Sequence, residues 1–342
     1  MAVTIRDVAK AAGVSPSTVS RALSTPDIVD AATRERVLRI ADHLGYRPNR
    51  AARGLITGRT GNIGLILPDL ANPFFPSVVK GIQSQAHESD YQVFVADTDE
   101  DPGAELGLVR SLAKQVDGII LCSPRMRSSE LREAAGLTPV VLVNRKSGSI
   151  PSVAVDNADG MRQVVEHLAR LGHRQIGFIA GPRSSWSSRE RLRGLMAASG
   201  ASNVEVVELG NFAPTFEGGA EAAEGVLIAG VTAVIAYNDL IALGLLNTMR
   251  QRGIDVPGGL SVVGIDNIQM SHMVHPALTT LSLPKERAGR RSVDLLIQLL
   301  ADPAAPATFI HELPTELLIR QTTGPAPQEK QHPSAGRPSA HR

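Results

Sequence analysis

Residues 4–23 read TIRDVAKAAGVSPSTVSRAL. Thr4 stands three residues before Asp7, and a hydroxyl followed at this distance by a carboxylate predicts a capping box at the start of a helix. Gly13 predicts the end of that helix. Ser15, with a proline after it, predicts the start of a second helix, because proline is tolerated at the first helical position. Two short helices joined by a turn of about three residues are typical of a helix-turn-helix.

The apolar residues of this region recur at helical spacing and predict a small buried core. A third helix is predicted over residues 31–44, with Asp30 as its N-cap. The side chains that can face inward are Val19, Ala22 and Leu23 in the second helix and Val37, Ile40, Ala41 and Leu44 in the third. The outer face of the second helix carries Pro16, Ser17, Ser20 and Arg21. Three helices in about 45 residues can bury a minimal core without metals or disulfides.

Basic side chains are concentrated in the same region of the chain. The formal net charge is +1, but residues 1–60 hold ten basic and five acidic side chains, whereas the remainder holds 25 basic and 29 acidic ones. A basic head on a mildly acidic body is typical of a DNA-binding module attached to a soluble domain. A solvated helical face would give the same charge, so the charge alone does not distinguish these two interpretations. The sequence motifs have to distinguish them.

Length and composition restrict the class of protein further. The chain has 342 residues, of which 43% are hydrophobic and 20% charged. This excludes a disordered chain and predicts roughly two or three folding units. No run of 18 uncharged apolar residues occurs, so we expect no membrane span. Charged residues follow the N-terminal Met almost at once and Cys122 is the only cysteine, which favours a cytoplasmic protein without disulfides.

From residue 62 onwards, short aliphatic runs alternate with amphipathic stretches. The first predicted strands span residues 63–67, 92–96, 118–121 and 140–143. A second set spans residues 153–155, 176–180, 205–208, 233–236 and 261–264. This alternation predicts parallel sheets covered by helices. Two sets predict two lobes with a cleft between them, and the ligands of such sheets bind at the carboxyl ends of the strands.

Three blocks of the head, residues 4–9, 12–15 and 17–23, resemble the DNA-binding head of the lactose-repressor (LacI/GalR) family of bacterial transcription regulators. The resemblance implies that the second helix lies in the major groove. It implies base reading by Pro16, Ser17 and Arg21 and phosphate contacts by Thr4, Thr18 and Ser20. A guanidinium such as that of Arg21 can donate two hydrogen bonds to one guanine, whereas Pro16 offers only van der Waals contact. The alternative for Arg21 is a surface side chain without a partner.

The segment 47–60 has no apolar stripe and, taken alone, is typical of a polar linker. The family resemblance implies instead a hinge that becomes helical on DNA, beside the hinge of a dimer mate. Leu55 is then an apolar wedge that unstacks the central base pairs and bends the duplex. The other DNA contacts implied here come from Asn49, Arg50 and Arg53. A flexible linker with an incidental leucine remains the alternative.

The body resembles the two-lobed, periplasmic-binding-protein-like (type I) effector domain of the same family, so that the resemblance covers about residues 3–322. By position it implies nine effector-binding residues: Phe74, Phe75, Asn144, Ser185, Trp186, Arg191, Phe212, Asn238 and Asp266. Such side chains suit a small polyhydroxylated or heterocyclic ligand, a sugar or a nucleoside-like compound. Arg191 and Asp266 have the alternative of pairing as a structural bridge. Asn144 stands where many relatives carry an acid, which leaves the particular sugar unspecified.

The predicted fold class is therefore an all-α helix-turn-helix head followed by an α/β, two-lobed effector domain. The expected domains are a head at 1–46, a hinge at 47–60 and an effector-binding and dimerisation domain at 61–323. Lobe 1 is expected at about 61–155 and 284–306, and lobe 2 at about 156–283 and 307–323. The segment 324–342 has no apolar period, which predicts a disordered tail. It has no leucine for the heptad bundle of tetrameric relatives, which favours a dimer.

Other motifs do not indicate catalysis or a cofactor. The dinucleotide-binding, P-loop and nucleophile-elbow patterns are absent from the sequence. His272 and His275 have a possible metal spacing, but no third ligand is nearby and a loop explains them better. The acidic run 97–101 lacks the glycine and the final glutamate of a calcium-binding loop. We therefore expect no enzymatic activity, no cofactor and no metal ion.

The sequence thus predicts a cytoplasmic, nucleoid-associated transcription regulator that responds to a small polar effector. We expect a repressor that binds a pseudo-palindromic operator on double-stranded DNA as a homodimer, with allosteric coupling between the cleft and the hinge. Whether the effector induces or co-represses stays open. A solute-binding protein is one alternative, although it leaves the head without a role. An enzyme acting on the cleft ligand is another, although no catalytic constellation supports it.

Overall fold

The structure, a computed structural model, describes residues 3–24, 28–46, 59–302 and 310–327. The chain divides into two compact units, with the boundary between Gly61 and Asn62. We call the first unit the head and the second the body. None of the helices in these described ranges combines the length and the apolar character needed to cross a bilayer.

The described part of the head forms three helices, α1 (Ile5–Ala12), α2 (Pro16–Ser24) and α3 (Ala31–His43). Its buried core consists of Val8, Ala9, Ala12, Val19, Ala22, Val37 and Ala41. The predicted inward residues Leu23, Ile40 and Leu44 pack against this core from half-buried positions. Asp30 caps α3 as predicted, because its carboxylate accepts from the backbone N–H of Thr33 at 3.1 Å.

The other predicted caps of the head are also confirmed. The Asp7 carboxylate accepts hydrogen bonds from the backbone N–H and the hydroxyl of Thr4, at 2.9 and 2.7 Å. Gly13 takes the left-handed conformation, with φ 68°, at the end of α1. At the start of α2, the Ser15 hydroxyl accepts from the backbone N–H of Thr18 at 3.1 Å. Each cap satisfies a backbone group that a helix leaves unpaired at its ends.

The body alternates strands and helices. Its strands are β1 (Asn62–Leu67), β2 (Gln92–Asp97), β3 (Gly118–Cys122), β4 (Val140–Val143), β5 (Ser152–Val155), β6 (Gln175–Ala180), β7 (Glu205–Asn211), β8 (Ala233–Ala236), β9 (Ser261–Asp266), β10 (Thr279–Ser282), β11 (Ile310–Leu313) and β12 (Glu316–Leu318). Its helices are α4 (Phe74–Glu88), α5 (Pro102–Leu112), α6 (Ser128–Leu137), α7 (Asn157–Arg170), α8 (Trp186–Ser202), α9 (Phe216–Ala229), α10 (Asp239–Gln251), α11 (Met270–Met273) and α12 (Lys285–Ala301).

Two sheets form the centres of the two lobes. The first has the strand order β11-β5-β4-β3-β1-β2, with all pairs parallel. The second has the order β12-β10-β9-β8-β6-β7, in which β12 runs antiparallel to β10. Each sheet reverses its winding direction beside its first strand, between β1 and β3 and between β6 and β8. Such switch points, at the carboxyl ends of the strands, are where doubly wound sheets bind ligands.

The structure corrects two predictions at the lobe boundaries. The predicted strand 153–155, which the sequence grouped with the second set of strands, is part of β5 in the first sheet, in agreement with the expected bounds of lobe 1. The segment 307–323 was expected wholly in lobe 2, but β11 pairs with β5 in lobe 1 and only β12 joins lobe 2. A short apolar run has the same pattern in either sheet, so the sequence cannot assign it. In the described residues the chain therefore passes between the lobes at 155–157, 282–285 and 313–316.

Two helices of lobe 1 are held in backbone contact by glycines. A Cβ at Gly81 of α4 would overlap the carbonyl oxygen of Glu286, and a Cβ at Gly289 of α12 would overlap the backbone of α4. Only glycine allows this approach, because any side chain would push the helices apart. The packing fixes the position of α12 beside α4 in lobe 1.

Candidate functional site

The cleft between the lobes is lined at the carboxyl ends of strands from both sheets. Asn144 directly follows β4, and Asp266 is the last residue of β9. The lining side chains are Asn72, Phe74, Phe75, Ser123, Arg125, Asn144, Arg191, Pro214, Tyr237, Asn238 and Asp266. They enclose ≈ 20 Å³ of free space, which is room for about one water molecule. A metabolite can therefore enter this cleft only if the lobes separate.

The structure brings together six of the nine effector residues predicted from the sequence: Phe74, Phe75, Asn144, Arg191, Asn238 and Asp266. The other three do not line the cavity. Ser185 is fully buried, and Trp186 is half-buried as the first residue of α8. Phe212 packs against a separate apolar cluster of lobe 2. Their positions after strand ends suggested convergence, but the direction of a loop depends on tertiary contacts that the sequence does not show.

Arg191 is the cation at the centre of the cleft. Its side chain is 3% exposed, and its guanidinium carbon lies 4.9 Å from the centroid of the Tyr237 ring, which is a cation–π contact. Its Nη1 donates to the Tyr237 carbonyl oxygen, and its Nη2 lies 3.7 Å from Oδ1 of Asp266. Its buried Nε has no hydrogen-bond partner among the described residues. Arg191 and Asp266 are thus paired, but at a distance beyond a direct hydrogen bond, and the guanidinium keeps an N–H to offer.

Asn144 presents an unused acceptor on the opposite side. Its Nδ2 donates to the Ser123 hydroxyl at 2.9 Å, whereas its buried Oδ1 has no partner among the described residues. Asn144 and Ser123 both have left-handed backbones, with φ 57° and 47°. This conformation is uncommon outside glycine and asparagine and is found at functional sites. A buried carbonyl oxygen without a donor is costly, and a ligand hydroxyl or N–H would satisfy it.

Phe74 and Phe75 provide the apolar part of the cleft. Their rings are perpendicular, with centroids 5.1 Å apart. The Asn72 side-chain oxygen accepts from the backbone N–H of Phe74 at 3.0 Å and so fixes the start of α4. Both phenylalanines are buried. Aromatic faces beside amide and charged groups are typical of sites that hold a ring with polar substituents.

Asn238 and Ser185 use their polar atoms within the protein. Oδ1 of Asn238 accepts from the backbone N–H of Ile241 at 2.9 Å, which caps α10, and its Nδ2 donates to the Pro214 carbonyl at 2.9 Å. The Ser185 hydroxyl caps α8 and lies 3.0 Å from the Tyr237 hydroxyl. These contacts make both residues supports of the cleft wall, and the Ser185 contact holds the Tyr237 ring beneath Arg191.

Sequence reasoning missed four polar or aromatic lining residues: Asn72, Ser123, Arg125 and Tyr237. Three of them had a signal, because Asn72 precedes the predicted phenylalanine pair, Ser123 follows a predicted strand and Tyr237 precedes Asn238. Arg125 had none. Its Nε and Nη2 donate to the two carboxylate oxygens of Glu100, at 2.7 and 2.8 Å, and this partner is distant in sequence.

Two buried carboxylates from lobe 2 stand beside the cleft. Asp239 accepts from the Thr280 hydroxyl at 2.6 Å and from the backbone N–H of Ile268 at 2.9 Å. Burial, and after it the negative charge of Asp266, raises the pKa of Asp239 to about 8. Burial raises the pKa of Asp266 to about 6, against the opposing charges of Arg191 and Lys285. The site therefore disfavours two negative charges at once.

We expect Asp239→Asn to reduce the pH dependence of unfolding. Because the pKa of Asp239 is raised in the folded state, its contribution to stability is fully present below about pH 4 and is lost as the pH rises through about 8. Asparagine is neutral throughout this range. The midpoint of thermal unfolding should therefore fall less between about pH 6 and 9 in the variant. Asp99→Asn, at an exposed position, serves as the control and should keep the full dependence of the unfolding midpoint on pH. If Asp239→Asn also kept that full dependence, the assignment to Asp239 would be incorrect.

The head presents the predicted DNA-contacting face on α2. Pro16, Ser17 and Arg21 are exposed there, and Ser20 is half-buried. The hydroxyl of Ser15 lies 2.7 Å from that of Ser17 and 2.9 Å from that of Thr18, so the start of α2 is a small hydroxyl network. The Thr4 hydroxyl is engaged by Asp7, as described above. The predicted contacts Asn49, Arg50, Arg53 and Leu55 lie outside the described residues and stay predictions.

Comparison with protein families and curated proteins identifies both units. The family model with the description "Bacterial regulatory proteins, lacI family" matches residues 4–49. The model described as periplasmic binding proteins and sugar binding domain of LacI family matches residues 60–321. The HTH-type transcriptional repressor CytR of Escherichia coli (strain K12) is 33% identical over 337 residues, which cover 95% of this chain and 98% of that protein.

Solved structures are similar over nearly the whole chain. The lac repressor dimer bound to operator and the anti-inducer ONPF has a TM-score of 0.83 at 31% identity, covering 95% of this chain and 100% of that chain. The complex of the transcriptional regulator CelR with cellobiose has a TM-score of 0.70 at 30% identity, covering 94% of this chain and 99% of that chain. The likeness therefore extends to one protein solved with DNA and to one solved with a sugar.

Proposed function

Because the chain belongs to the LacI family of bacterial regulatory proteins, we propose that it represses transcription from a pseudo-palindromic operator under the control of a small polar metabolite. It is an effector-responsive, DNA-binding transcription regulator that acts as a homodimer. The observation that carries the proposal is the combination, in one chain, of a helix-turn-helix with an exposed guanidinium on its second helix and a body whose cleft holds unsatisfied polar groups.

DNA recognition is assigned to the exposed face of α2. Arg21 is the exposed cation on this face and can read a guanine through two hydrogen bonds. Ser17 and Thr18 keep hydroxyl capacity for bases or phosphates beyond their contacts to Ser15. The hinge segment, with Arg50 and Arg53 at phosphates, Asn49 as a further DNA contact and Leu55 as the wedge, completes the proposed contact surface.

Operator binding is tested by a gel-shift assay with the promoter DNA of the chain's own operon. Specific binding that survives moderate salt supports the proposal, and binding that salt abolishes equally for all sequences contradicts it.

Arg21→Ala should lower operator affinity by about 1–3 kcal/mol and relax specificity at one base pair. Arg36→Ala removes the same charge from an exposed position of α3 and should preserve specificity. A uniform loss on all sequences with Arg21→Ala would instead assign Arg21 to a phosphate.

The cleft suits a ring that carries hydroxyl groups. Oδ1 of Asn144 can accept from a ligand hydroxyl, Nε of Arg191 can donate to a ligand oxygen, and the phenylalanine rings can pack on the face of a sugar or a base. CelR, at 30% identity, is solved with cellobiose, which agrees with a carbohydrate-like effector. We propose a sugar or nucleoside-like ring as the part of the effector that occupies this cleft.

Effector binding is proposed to act by changing the relative pose of the lobes. Lys285 of lobe 1 donates to the backbone carbonyls of Asp266 and Asn267 in lobe 2, the latter at 2.8 Å. Because the cleft admits no metabolite in its closed form, binding changes the population of lobe arrangements. A change at the cleft alters operator affinity, and operator binding alters effector affinity by the same factor.

The homodimer needs an interface, and two apolar surfaces of the body are candidates. Phe94 and Val95 are 41% and 37% exposed on β2, the edge strand of the first sheet. In lobe 2, Leu243, Leu246, Met270 and Val274 line an apolar groove, and Met273 beside it is 68% exposed. Exposed apolar patches of this kind mark association sites. We propose that both surfaces are covered by the second copy.

Phe94→Asp is expected to dissociate the dimer, because it places an unpaired charge in an apolar interface. Sedimentation analysis should show a monomer, and operator affinity should fall because one head contacts only half of the operator. Ile310→Asp is the matched control, since Ile310 is 46% exposed on β11 at the opposite edge of the same sheet. A dimer that persists in Phe94→Asp would remove this edge from the interface.

The comparisons identify transcription regulators, and we propose that this chain likewise turns over no substrate and requires no cofactor. We further propose that it works in the cytoplasm, associated with the nucleoid through its operators. Chemical change of a bound effector during incubation with the purified chain would contradict the first of these proposals.

A further inference from the structure

A second cavity adjoins the cleft and is lined by five arginines. It has a volume of ≈ 600 Å³, and its arginines are Arg125, Arg127, Arg145, Arg183 and Arg189. We call it the arginine basin. The first three belong to lobe 1. In lobe 2, Arg183 lies in the segment between β6 and α8, and Arg189 lies in the first turn of α8. Arg125 also lines the cleft cavity, so the two cavities are neighbours that share this side chain in their walls.

The charge of the basin is not balanced by its own carboxylates. Among the residues that the structure describes, Glu130 is the only acidic one that lines it, and this carboxylate is bound to the side chain and the backbone N–H of Arg127, at 3.3 and 2.7 Å. Arg125 is paired with Glu100. The remaining arginines of the basin form no ion pair with a described carboxylate. The basin therefore has an excess of positive charge that faces solvent and the cleft.

Arg145 is the buried member of this group. It is 3% exposed, and its Nη1 donates to the carbonyl oxygens of Pro124 and Met126 at 2.8 and 2.7 Å. Its buried Nε has no hydrogen-bond partner among the described residues. Burial, and after it the positive charge of Arg189, lowers the pKa of Arg145. The negative charge of Glu105 opposes this effect, but the Glu105 oxygens accept from the backbone N–H groups of residues 125 and 126.

Helix N-termini add to the positive potential. Pro102 and Gly103 at the start of α5 and Ser128 at the start of α6 line the basin, and Ser184 lies just before the start of α8. The N-terminus of a helix carries a partial positive charge and favours anions. Caps from Asp101 and Glu130 satisfy part of these N–H groups. Convergence of these helix starts with five arginines gives a site suited to a compact, multiply charged anion.

We propose that the arginine basin binds a phosphoryl group carried by the effector, so that the effector is a phosphorylated sugar or nucleotide rather than its neutral parent. This inference rests on the proposed function, since it places the ring in the cleft and the phosphoryl group in the basin. Arg145 and Arg189 repel each other across the two lobes. An anion between them removes this repulsion and stabilises the arrangement of the lobes that holds the ligand, which couples the charge of the ligand to the relative position of the lobes.

The first test uses inorganic phosphate and the full chain. Thermal unfolding is compared in sodium phosphate and in sodium chloride of equal ionic strength for the unmodified chain, for Arg183→Gln/Arg189→Gln and for Arg170→Gln/Arg174→Gln. The last variant removes two arginines of the same lobe outside the basin. General salt effects act on all three alike. We expect an additional rise of the midpoint in phosphate for the unmodified chain and the control, lost in Arg183→Gln/Arg189→Gln. Equal shifts in all three proteins would overturn the basin as an anion site.

The second test uses matched pairs in calorimetric titrations: ribose and ribose 5-phosphate, glucose and glucose 6-phosphate, and uridine and uridine 5′-monophosphate. In at least one pair we expect the phosphorylated member to bind about tenfold or more tightly than its parent and than inorganic phosphate. Arg183→Gln/Arg189→Gln should reduce that affinity to the level of the parent. If no phosphorylated compound binds more tightly than inorganic phosphate, the basin takes the free ion and the effector assignment fails.

Operator binding of the same proteins separates this inference from the proposed function. Arg183→Gln/Arg189→Gln should bind the operator like the unmodified chain in the absence of ligand. Failure of the unmodified chain to bind any operator would contradict the proposed function without changing the phosphate result. Normal operator binding with no arginine-dependent phosphate effect would overturn only the inference on the basin.

Discussion

Arg191→Met is expected to destabilise the body by about 3–5 kcal/mol and to abolish effector binding. The substitution removes the nearest cation from the buried Asp266 carboxylate and leaves it beside the second buried carboxylate, Asp239. It also removes the donor to the Tyr237 carbonyl and the cation–π contact with the ring. The midpoint of urea unfolding and the affinity for an identified effector measure the two effects.

Two further variants separate charge from packing at this position. Arg191→Met/Asp266→Asn should recover part of the lost stability, because no uncompensated carboxylate is left at the site, but it should not recover effector binding. Arg193→Met, two residues further along α8 and largely exposed, should leave both properties nearly unchanged. If the double variant is less stable than Arg191→Met alone, the loss comes from packing rather than from the buried charge.

Removal of residues 1–61 is expected to abolish operator binding completely while effector affinity changes by less than about twofold. The head has its own buried core and contains the proposed base-reading face, and the body has its own two sheets. The excess of basic residues is also removed with the head, so the electrostatic attraction to DNA should fall. Gel-shift assays and effector titrations of the truncated chain give the two measurements.

A point substitution in the full chain tests the same expectation without shortening it. Val37 is fully buried in the core of the head, and Val37→Asp should unfold the head while the body stays folded. Operator binding should again be lost and effector binding kept. Specific operator binding by the truncated chain would place DNA recognition in the body. Absence of specific binding by the unmodified chain would favour a solute-binding protein.

The head could be predicted almost entirely from the sequence. Thr4 and Asp7, Ser15 and Thr18, and Asp30 and Thr33 form their hydrogen bonds over three residues, and Gly13 acts through its own backbone. Nine strands of the body, β1 to β9, were also predicted, since continuous aliphatic runs mark parallel strands, whereas β10, β11 and β12 were not. The distribution of strands between the two sheets was not predictable, as β5 and β11 show.

The cleft could be predicted in part. Phe74, Phe75, Asn144, Arg191, Asn238 and Asp266 line it, because residues after strand ends or at helix starts meet at one edge of a doubly wound sheet. The roles of these residues depended on partners distant in sequence. The side-chain nitrogen of Asn238 donates to Pro214 and its side-chain oxygen caps its own helix, whereas Asn144 and Arg191 retain atoms without a hydrogen-bond partner among the described residues.

By itself the sequence determined the three-helix head with its caps, the alternation of strands and helices, and the family resemblance that indicates a regulator. Only the tertiary structure decided which sheet β5 and β11 join and which polar atoms of the cleft stay unpaired. It also brings together, around one cavity, Arg125, Arg127, Arg145, Arg183 and Arg189. The physical reason is the separation in sequence of the residues that interact. Caps and helical faces depend on neighbours within one turn of a helix, whereas the cleft and the arginine basin depend on how two lobes pack.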